Sequence, residues 1–230
     1  MDLSRRDRQP EVMDQPDLDV SLHRQALDVI GRFHRLFRSG DEIFGRIRDL
    51  QDSDRPLRIL DVACGGGDMI VGLGQAARKA NFDIEISGCD LSNVALERTA
   101  ELATQAHIEV KLFPFDAIKD EFPEQFDVIV STMFIHHLSN QDVVALLRKM
   151  KSAATKRIIV ADQARSRATY FFVKTLMLVA SRSPVTRVDG PLSIRAAFTA
   201  DEFEQVAREA GLENFTMTTS FVMKCDLPPE

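Results

Sequence analysis

Apolar positions along the chain fall into three regimes. From Ser21 they recur at helical spacing, through Leu22, Ala26, Val29, Ile30, Phe33 and Phe37, with Ser21 as the candidate cap. A second short helix, Glu42 to Leu50, presents Ile43, Phe44, Ile47 and Leu50. Then short apolar runs alternate with helical stretches. The runs are 57–62, 83–90, 108–113, 126–132 and 157–162; helices are predicted to Ala80, over Asn93–Ala106 and over Asn140–Lys151. Repeated strand–helix alternation predicts an α/β, Rossmann-like, doubly wound sheet, mostly parallel and covered on both faces. An insert at 163–198 follows, with an apolar helix and a polar loop, SRSPVTRVDGPLSIRAAF. The last helix opens at Thr199 with a Glu202 capping box and ends at Gly211; extended pieces 214–220 and 221–226 close the chain and bring the sheet to seven strands. Residues 1–18, charged and with Pro10 and Pro16, read as a flexible arm, the alternative being a lid. The domain proper is 19–230, with 19–52 as a helical cap and 163–198 as an insert between the fifth strand and the last helix.

Composition narrows the class. With 230 residues, 44% of them hydrophobic and 28% charged, the chain suits one large globular domain rather than a disordered or fibrous one. The balance of 29 basic against 35 acidic residues leaves no basic footprint, so no nucleic-acid partner is expected. Cys64, Cys89 and Cys225 are odd in number and lack CxxC spacing, which argues against disulfides and a cysteine-built zinc site; no metal is expected. No apolar segment resembles a signal peptide, and the run Tyr170–Ala180 contains Lys174 and is short of the roughly 20 residues a membrane span needs. A cytoplasmic protein is the expectation.

Six of the eleven glycines fall between Gly65 and Gly88. In ILDVACGGGDMI a glycine turn joins a strand to a helix, where exposed amides and the helix N-terminus favour negative charge. A dinucleotide fold wants a third glycine where Ile70 stands. Asp61, ending the first strand, repels a pyrophosphate and suits a cationic ligand end. Asp90, ending the second strand, can accept from both ribose hydroxyls. A ribose and a cation without a pyrophosphate point to S-adenosylmethionine.

Asp61-Val62-Ala63-Cys64-Gly65-Gly66-Gly67, Asp90-Leu91-Ser92, Phe115-Asp116-Ala117 and Phe126-Asp127-Val128-Ile129-Val130-Ser131 together resemble the class I S-adenosylmethionine-dependent methyltransferases over residues 55–165, and 199–226 fits their ending. Ala63 stands where the family has its first motif glycine. The resemblance implies that Asp61 and the 65–67 backbone hold the methionine end of the cofactor. It further implies that Asp90 binds the ribose, Leu91 packs on adenine, Asp116 accepts from the adenine amino group, Ala117 offers a backbone donor and Ser131 faces the methionine moiety. A helix cap is the plainer alternative for Asp116 and Asp90.

Methyl transfer from a sulfonium is an in-line displacement governed by positioning. Phe134-Ile135-His136-His137-Leu138 follows strand four at the ligand-binding edge of the sheet. Adjacent side chains diverge, so one is expected to reach the acceptor; the resemblance implies His136, as base or pocket residue, with His137 holding the loop beside the substrate and the 163–198 insert covering it. A phenol near pKa 10 and a histidine near 6.5 differ by roughly 5 kcal/mol, within reach of concerted transfer, which favours a phenolic, enolic or carboxylate oxygen. Arg195 in the insert is a candidate for a substrate anion, with a surface salt bridge as the alternative. The apolar helix around Tyr170–Leu178 reads as core, dimer interface, pocket wall or membrane-docking face. The leading function is methylation of a small apolar or phenolic acceptor at oxygen, by a monomer or homodimer. The rivals are carbon methylation of the quinone-biosynthetic type, a nicotinamide-dependent oxidoreductase and a silent nucleoside-binding module.

Overall fold

Asp19, not Ser21, starts the first helix. In the computed structural model, which describes residues 2–15, 17–50 and 55–228, the Asp19 carboxylate accepts from the amides of Ser21 and Leu22 and from the Ser21 hydroxyl, so α1 runs Val20–Leu36. Met1 and Pro16 of the arm, and the boundary expected at residue 52, lie outside the described residues. Helix α2 (Ser39–Ile47) buries Ile43 and Ile47 and runs into a single 3-10 turn at Arg48–Leu50.

The alternation then unfolds as β1 (Leu57–Val62), α3 (Asp68–Lys79), β2 (Ile84–Asp90), α4 (Asn93–Ala106), β3 (Lys111–Pro114), β4 (Phe126–Thr132), α5 (Asn140–Ala153) and β5 (Ala154–Gln163). Strand β3 is shorter than the run 108–113, because pairing with β2 starts only at Lys111, opposite Ser87. Strand β5 starts earlier than residue 157, because Ala154 already pairs with Phe126.

Seven strands form one sheet in the order β3-β2-β1-β4-β5-β7-β6, parallel except for the terminal hairpin of β6 (Thr216–Thr219) and β7 (Val222–Leu227). Both faces are covered, which is why the central strands read as mostly apolar runs rather than as an apolar–polar alternation. Ile129 of β4 packs with Leu146 and Leu147 of α5 and Phe203 of the last helix; Val128 and Val130, on the other face, pack with Ile70 and Leu73 of α3 and with Ile43 and Ile47 of α2. The strand order reverses beside β1, and the crevice at the carboxyl ends of β1, β2 and β4 is where such a fold takes its ligands.

The insert differs from expectation. Helix α6 (Arg167–Ala180) lies where the apolar pattern puts it, but the stretch read as a polar loop is helix α7 (Pro184–Ala196). Ser183 caps it by accepting from the Thr186 amide, and Pro184 sits in its first turn. Gly190 and Pro191, a turn signal in sequence, lie inside it. A Cβ on Gly190 would come within 2.8 Å of Met177 Cγ, so this glycine lets α7 approach α6 closely. Helix α8 (Ala200–Glu209) has the Thr199–Glu202 capping box, and Gly211, with φ 83°, turns the chain after it. Among the described residues no helix is long and apolar enough to cross a membrane.

Residues 2–15, expected as a flexible arm, are seated on the molecule. Arg6 donates to the carbonyls of His136, Leu138 and Ala196 and to Asn140 Oδ1, and its guanidinium lies 3.6 Å from the Phe198 ring centre. Each contact is remote in sequence, so local composition could not reveal it.

Candidate active site

The turn after β1 is built from left-handed backbone: Ala63 has φ 58°, Gly65 55° and Gly67 77°. A Cβ on Gly67 would lie 2.5 Å from Thr99 Cγ2. Helix α4 braces this turn from behind. Thr99 Oγ1 donates to the Gly65 carbonyl at 2.8 Å and Arg98 Nη1 to the Gly66 carbonyl at 2.5 Å. Arg98 is held in turn by Asp28 and by the buried Asp68, which also pairs with Arg35. Neither Arg98 nor Thr99 was anticipated. Their signal is positional: two adjacent polar residues on a buried stretch of a surface helix need partners.

Asp61 is fully buried, and among the described residues neither of its carboxylate oxygens has a hydrogen-bond partner. Burial, reinforced by the charge of Asp90, pushes its pKa well above the usual carboxylate range. Ser131 Oγ is likewise buried without a partner. The β1–β4 register pairs Asp61 with Val130 and Val62 with Ser131, so Asp61 and Ser131 fall on opposite faces of the sheet rather than together. Asp90 spans two segments: Oδ2 accepts from the Gly65 amide at 2.9 Å and Oδ1 from the Ser92 amide at 2.8 Å. The cap of α4 is Ser92 itself, which accepts from Ala95. Burial raises the pKa of Asp90, against the two amides that stabilise its charge. Asp116 is committed locally. Its carboxylate accepts from the amides of Ile118 and Lys119 and pairs with Lys119 Nζ at 3.0 Å, closing a turn after β3 rather than capping a helix as its plainer alternative had it.

A cavity of about 1130 Å³ opens over these strand ends. Ala63, Gly65, Gly66, Gly67, Asp90, Leu91, Asp116 and Ala117 line one part of it; His136, His137 and Glu11 line another. Leu91 is 71% exposed where it lines the cavity, so a planar apolar ligand there would cover it.

After β4 the chain turns at Met133, with φ 52°, into a single 3-10 turn, Ile135–His137. His136 is buried, its Nδ1 lies 2.7 Å from Asp162 Oδ1, and its amide donates to Asp162 Oδ2 at 3.1 Å. His137 Nδ1 lies 2.8 Å from Asp14 Oδ2. Burial opposes charge on His137, but Asp14 and Glu11 outweigh it and hold its pKa up at about 9. Both rings reach the cavity, against the expectation that one would, because the tight turn sets them 4.3 Å apart and only 33° out of parallel. Asp162, Asp14 and Glu11 were missed. Asp162 ends the fifth strand run as Asp61 and Asp90 end the first and second, which was the available signal; the arm residues carried none.

Arg195 does not take the anion-binding place foreseen for it. It pairs with Asp7, whose amide also donates to the Arg195 carbonyl, and it is not part of the cavity wall. The salt-bridge alternative describes it.

Residues 59–156 match the methyltransferase domain family. The match spans somewhat under half of the chain, from β1 into β5, and marks that stretch as similar to methyltransferase domains. S-adenosylmethionine is the cofactor of this domain, and the left-handed glycine turn, Asp90 and the Asp61 carboxylate fit a cationic nucleoside. A nicotinamide reading loses its footing at Ile70, which is fully buried in the core of α3 where a glycine would be needed. Over 151 residues the domain is 31% identical to phosphoethanolamine N-methyltransferase 3 of Arabidopsis thaliana, covering 60% of this chain and 29% of that protein. The chain thus spans less than a third of the length of that relative. An O-methyltransferase family 2 protein from Planctomyces limnophilus, solved in complex with apigenin, shares the fold with a TM-score of 0.63 and 18% identity, over 94% of this chain and 63% of that one. Magnesium protoporphyrin IX methyltransferase from Synechocystis, solved with bound S-adenosylhomocysteine, follows with a TM-score of 0.56 and 14% identity, over 90% and 84%.

Proposed function

We propose that the chain transfers the methyl group of S-adenosylmethionine to an oxygen of a small, largely apolar or phenolic acceptor held beside His136. The observation that carries this reading is the buried His136–Asp162 pair facing the same cavity as the glycine turn. The bound cofactor supplies an electrophilic methyl on a sulfonium. Asp61 and the 65–67 backbone would hold its methionine end, Asp90 its ribose and Leu91 its adenine. Asp116, spent on its own turn, would mainly fix the Ala117 amide rather than read the adenine itself.

On the acceptor side, Asp162 is an acceptor only, so its bond to Nδ1 fixes a proton there and leaves the lone pair of His136 on Nε2. That nitrogen can take the proton of an acceptor hydroxyl as the methyl is transferred. Phe134, Phe172, Val173, Leu176 and Met177 supply apolar wall on the acceptor side and suit a ring or short chain. Oxygen is favoured over nitrogen or carbon because an amine transfers without a base and a ring carbon loses its proton only later. The O-methyltransferase neighbour supports this choice, whereas the Arabidopsis relative is named for nitrogen methylation. Nothing in the cavity requires a macromolecular acceptor.

The test is a panel of phenols, amines and quinols incubated with the protein and labelled cofactor, with products identified by mass spectrometry. His136→Ala should lower kcat on a phenol by about 10²–10⁴-fold while leaving S-adenosylhomocysteine affinity within twofold. Transfer to an amine only, or an unchanged kcat in His136→Ala, would defeat the oxygen and base assignments.

A further inference from the structure

The cysteines give this chain no metal site, but another set of ligating atoms does gather. Among the described residues, Glu11, His136 and His137 bring one ligand atom each to within 4.8 Å of one another. We propose that these three residues form a binding site for a zinc-class divalent transition metal at the acceptor end of the cavity. The proposal goes beyond methyl transfer and does not depend on it, since it stands on the arm and the histidine turn alone.

Both histidines are oriented as metal ligands are. A metal-bound histidine characteristically uses its second ring nitrogen on a carboxylate, which fixes the tautomer and raises ligand basicity. Here His136 Nδ1 meets Asp162 Oδ1 at 2.7 Å and His137 Nδ1 meets Asp14 Oδ2 at 2.8 Å. Each ring therefore turns its Nε2 to the same place, where Glu11 waits: His136 Nε2 lies 3.7 Å from Glu11 Oε1 and His137 Nε2 4.0 Å from Glu11 Oε2. Glu11 is only 6% exposed, and the Ser193 hydroxyl donates to its Oε1 at 2.6 Å, so it too is held from behind. Tetrahedral ligands with bonds of about 2.0–2.1 Å stand roughly 3.4 Å apart. With its ligand atoms within 4.8 Å of one another, the site would contract by up to about 1.4 Å on closing around an ion.

The local charge asks for a cation. Four carboxylates converge here, Glu11, Asp14, Asp162 and Asp189, the last accepting from the amides of Val12 and Met13. The guanidiniums of Arg6 and Arg8 donate to the backbone carbonyls of His136, His137 and Leu138. Two histidines and one glutamate form a three-ligand set of the open, catalytic kind, and all three line the cavity, so a fourth position would face the acceptor space. A lone pair on His136 Nε2 given to a metal is not free to take a proton. Occupancy would therefore replace the base with a Lewis acid beside the acceptor oxygen.

The test uses the full, untagged chain, stripped with a chelator, titrated with Zn²⁺ by calorimetry and with Co²⁺ by visible absorption. One Zn²⁺ per chain and the intense bands of low-coordinate Co²⁺ are expected. Glu11→Ala and His137→Ala should each weaken binding by at least about tenfold, and Asp162→Asn, which removes only an outer partner, by about 10–100-fold. S-adenosylhomocysteine titration of each variant shows whether the cofactor half is still folded, and it separates failure of the metal site from failure of the methyltransferase reading. No stoichiometric binding by the wild-type chain would overturn the proposal. So would wild-type Zn²⁺ affinity in Glu11→Ala with S-adenosylhomocysteine binding intact; the cluster would then be a protonated His137 paired with its acids and nothing more.

Discussion

Asp61→Asn should stabilise the free protein and weaken cofactor binding, a combination that a purely structural aspartate cannot produce. In the free chain the Asp61 carboxylate is fully buried, lacks any hydrogen-bond partner among the described residues and sits near Asp90, and its pKa is raised by burial and then by that neighbour. An acid whose folded pKa is raised binds more protons folded than unfolded, so stability falls as pH climbs from the unfolded value of 3.8 toward the folded one. The loss is about 1.4 kcal/mol per pH unit across that window. The amide has the same shape and no such slope. Asp61→Asn should therefore gain about 1–3 kcal/mol at pH 8, or roughly 2–12 °C in Tm for a domain of this size, and much less at pH 4. With a cationic ligand the balance reverses, because a charge-assisted hydrogen bond is worth about 1.5–3 kcal/mol and the amide forfeits it, lowering affinity by roughly 10–150-fold. Differential scanning calorimetry of the free protein at several pH values, paired with calorimetric titration of S-adenosylhomocysteine, reads both effects. A lower Tm together with unchanged affinity would refute the assignment of Asp61 to the cofactor.

Two further expectations concern stability. Asp127 accepts from Arg55, from the Arg58 amide and from Thr155; these bonds outweigh burial and hold its pKa down at about 2. A depressed acid contributes stability above its unfolded pKa and loses it as pH falls toward the folded one, so up to about 2 kcal/mol, discounted for the half-exposed arginine, should vanish between pH 4 and 2; parallel urea-stability profiles of wild type and Asp127→Asn over that range would contradict this. Gly67→Ala meets both a φ of 77° and the Thr99 side chain, and should cost about 2–4 kcal/mol with loss of S-adenosylhomocysteine binding, whereas Ala63→Gly relieves a left-handed alanine and should leave thermal stability within about 1 kcal/mol and binding intact; equal Tm values for the two variants would show that the turn tolerates a side chain at either place.

How far the fold could be read from sequence depended on the range of the interactions that make it. The central strands carry their own evidence, since a strand buried on both faces is apolar at most positions, and Ile59 or Val128 announces itself without knowledge of its partners. The capping box at Thr199 and Glu202 is equally local. Helix α7 was hidden because Gly190 and Pro191 signal a turn locally, and only the close packing of Gly190 on Met177 explains why a helix accommodates them. Asp90 was legible by position, but its bond to the Gly65 amide was not, and neither were the braces from Arg98 and Thr99, because side chains more than twenty residues away meet the turn only after α4 has docked. Glu11 and Asp14 are the extreme case: in sequence they are two acids of a charged arm, and their chemistry appears only against a turn more than a hundred residues distant.

That division by range follows the division of the proposed labour. The cofactor side of the cavity is made from the ends of β1 and β2 and the turns that follow them, inside the matched stretch 59–156. Much of the acceptor side is drawn from outside it: Glu11 from the arm, Phe172, Val173 and Met177 from α6, Asp189 and Ser193 from α7. These pieces are tied to one another, since Ser193 donates to Glu11 and Asp189 accepts from Val12 and Met13, so the arm and the insert are held as a unit over the histidine turn. A change of acceptor can then arise by substitution in the arm and the insert without disturbing the cofactor turn, whose braces come from α1, α3 and α4. It follows that exchanging residues 2–15 together with α6 and α7 against those of a related methyltransferase should move acceptor preference while S-adenosylhomocysteine affinity stays put, whereas exchanging either part alone would break the Glu11–Ser193 and Asp189 contacts and lower turnover on both acceptors.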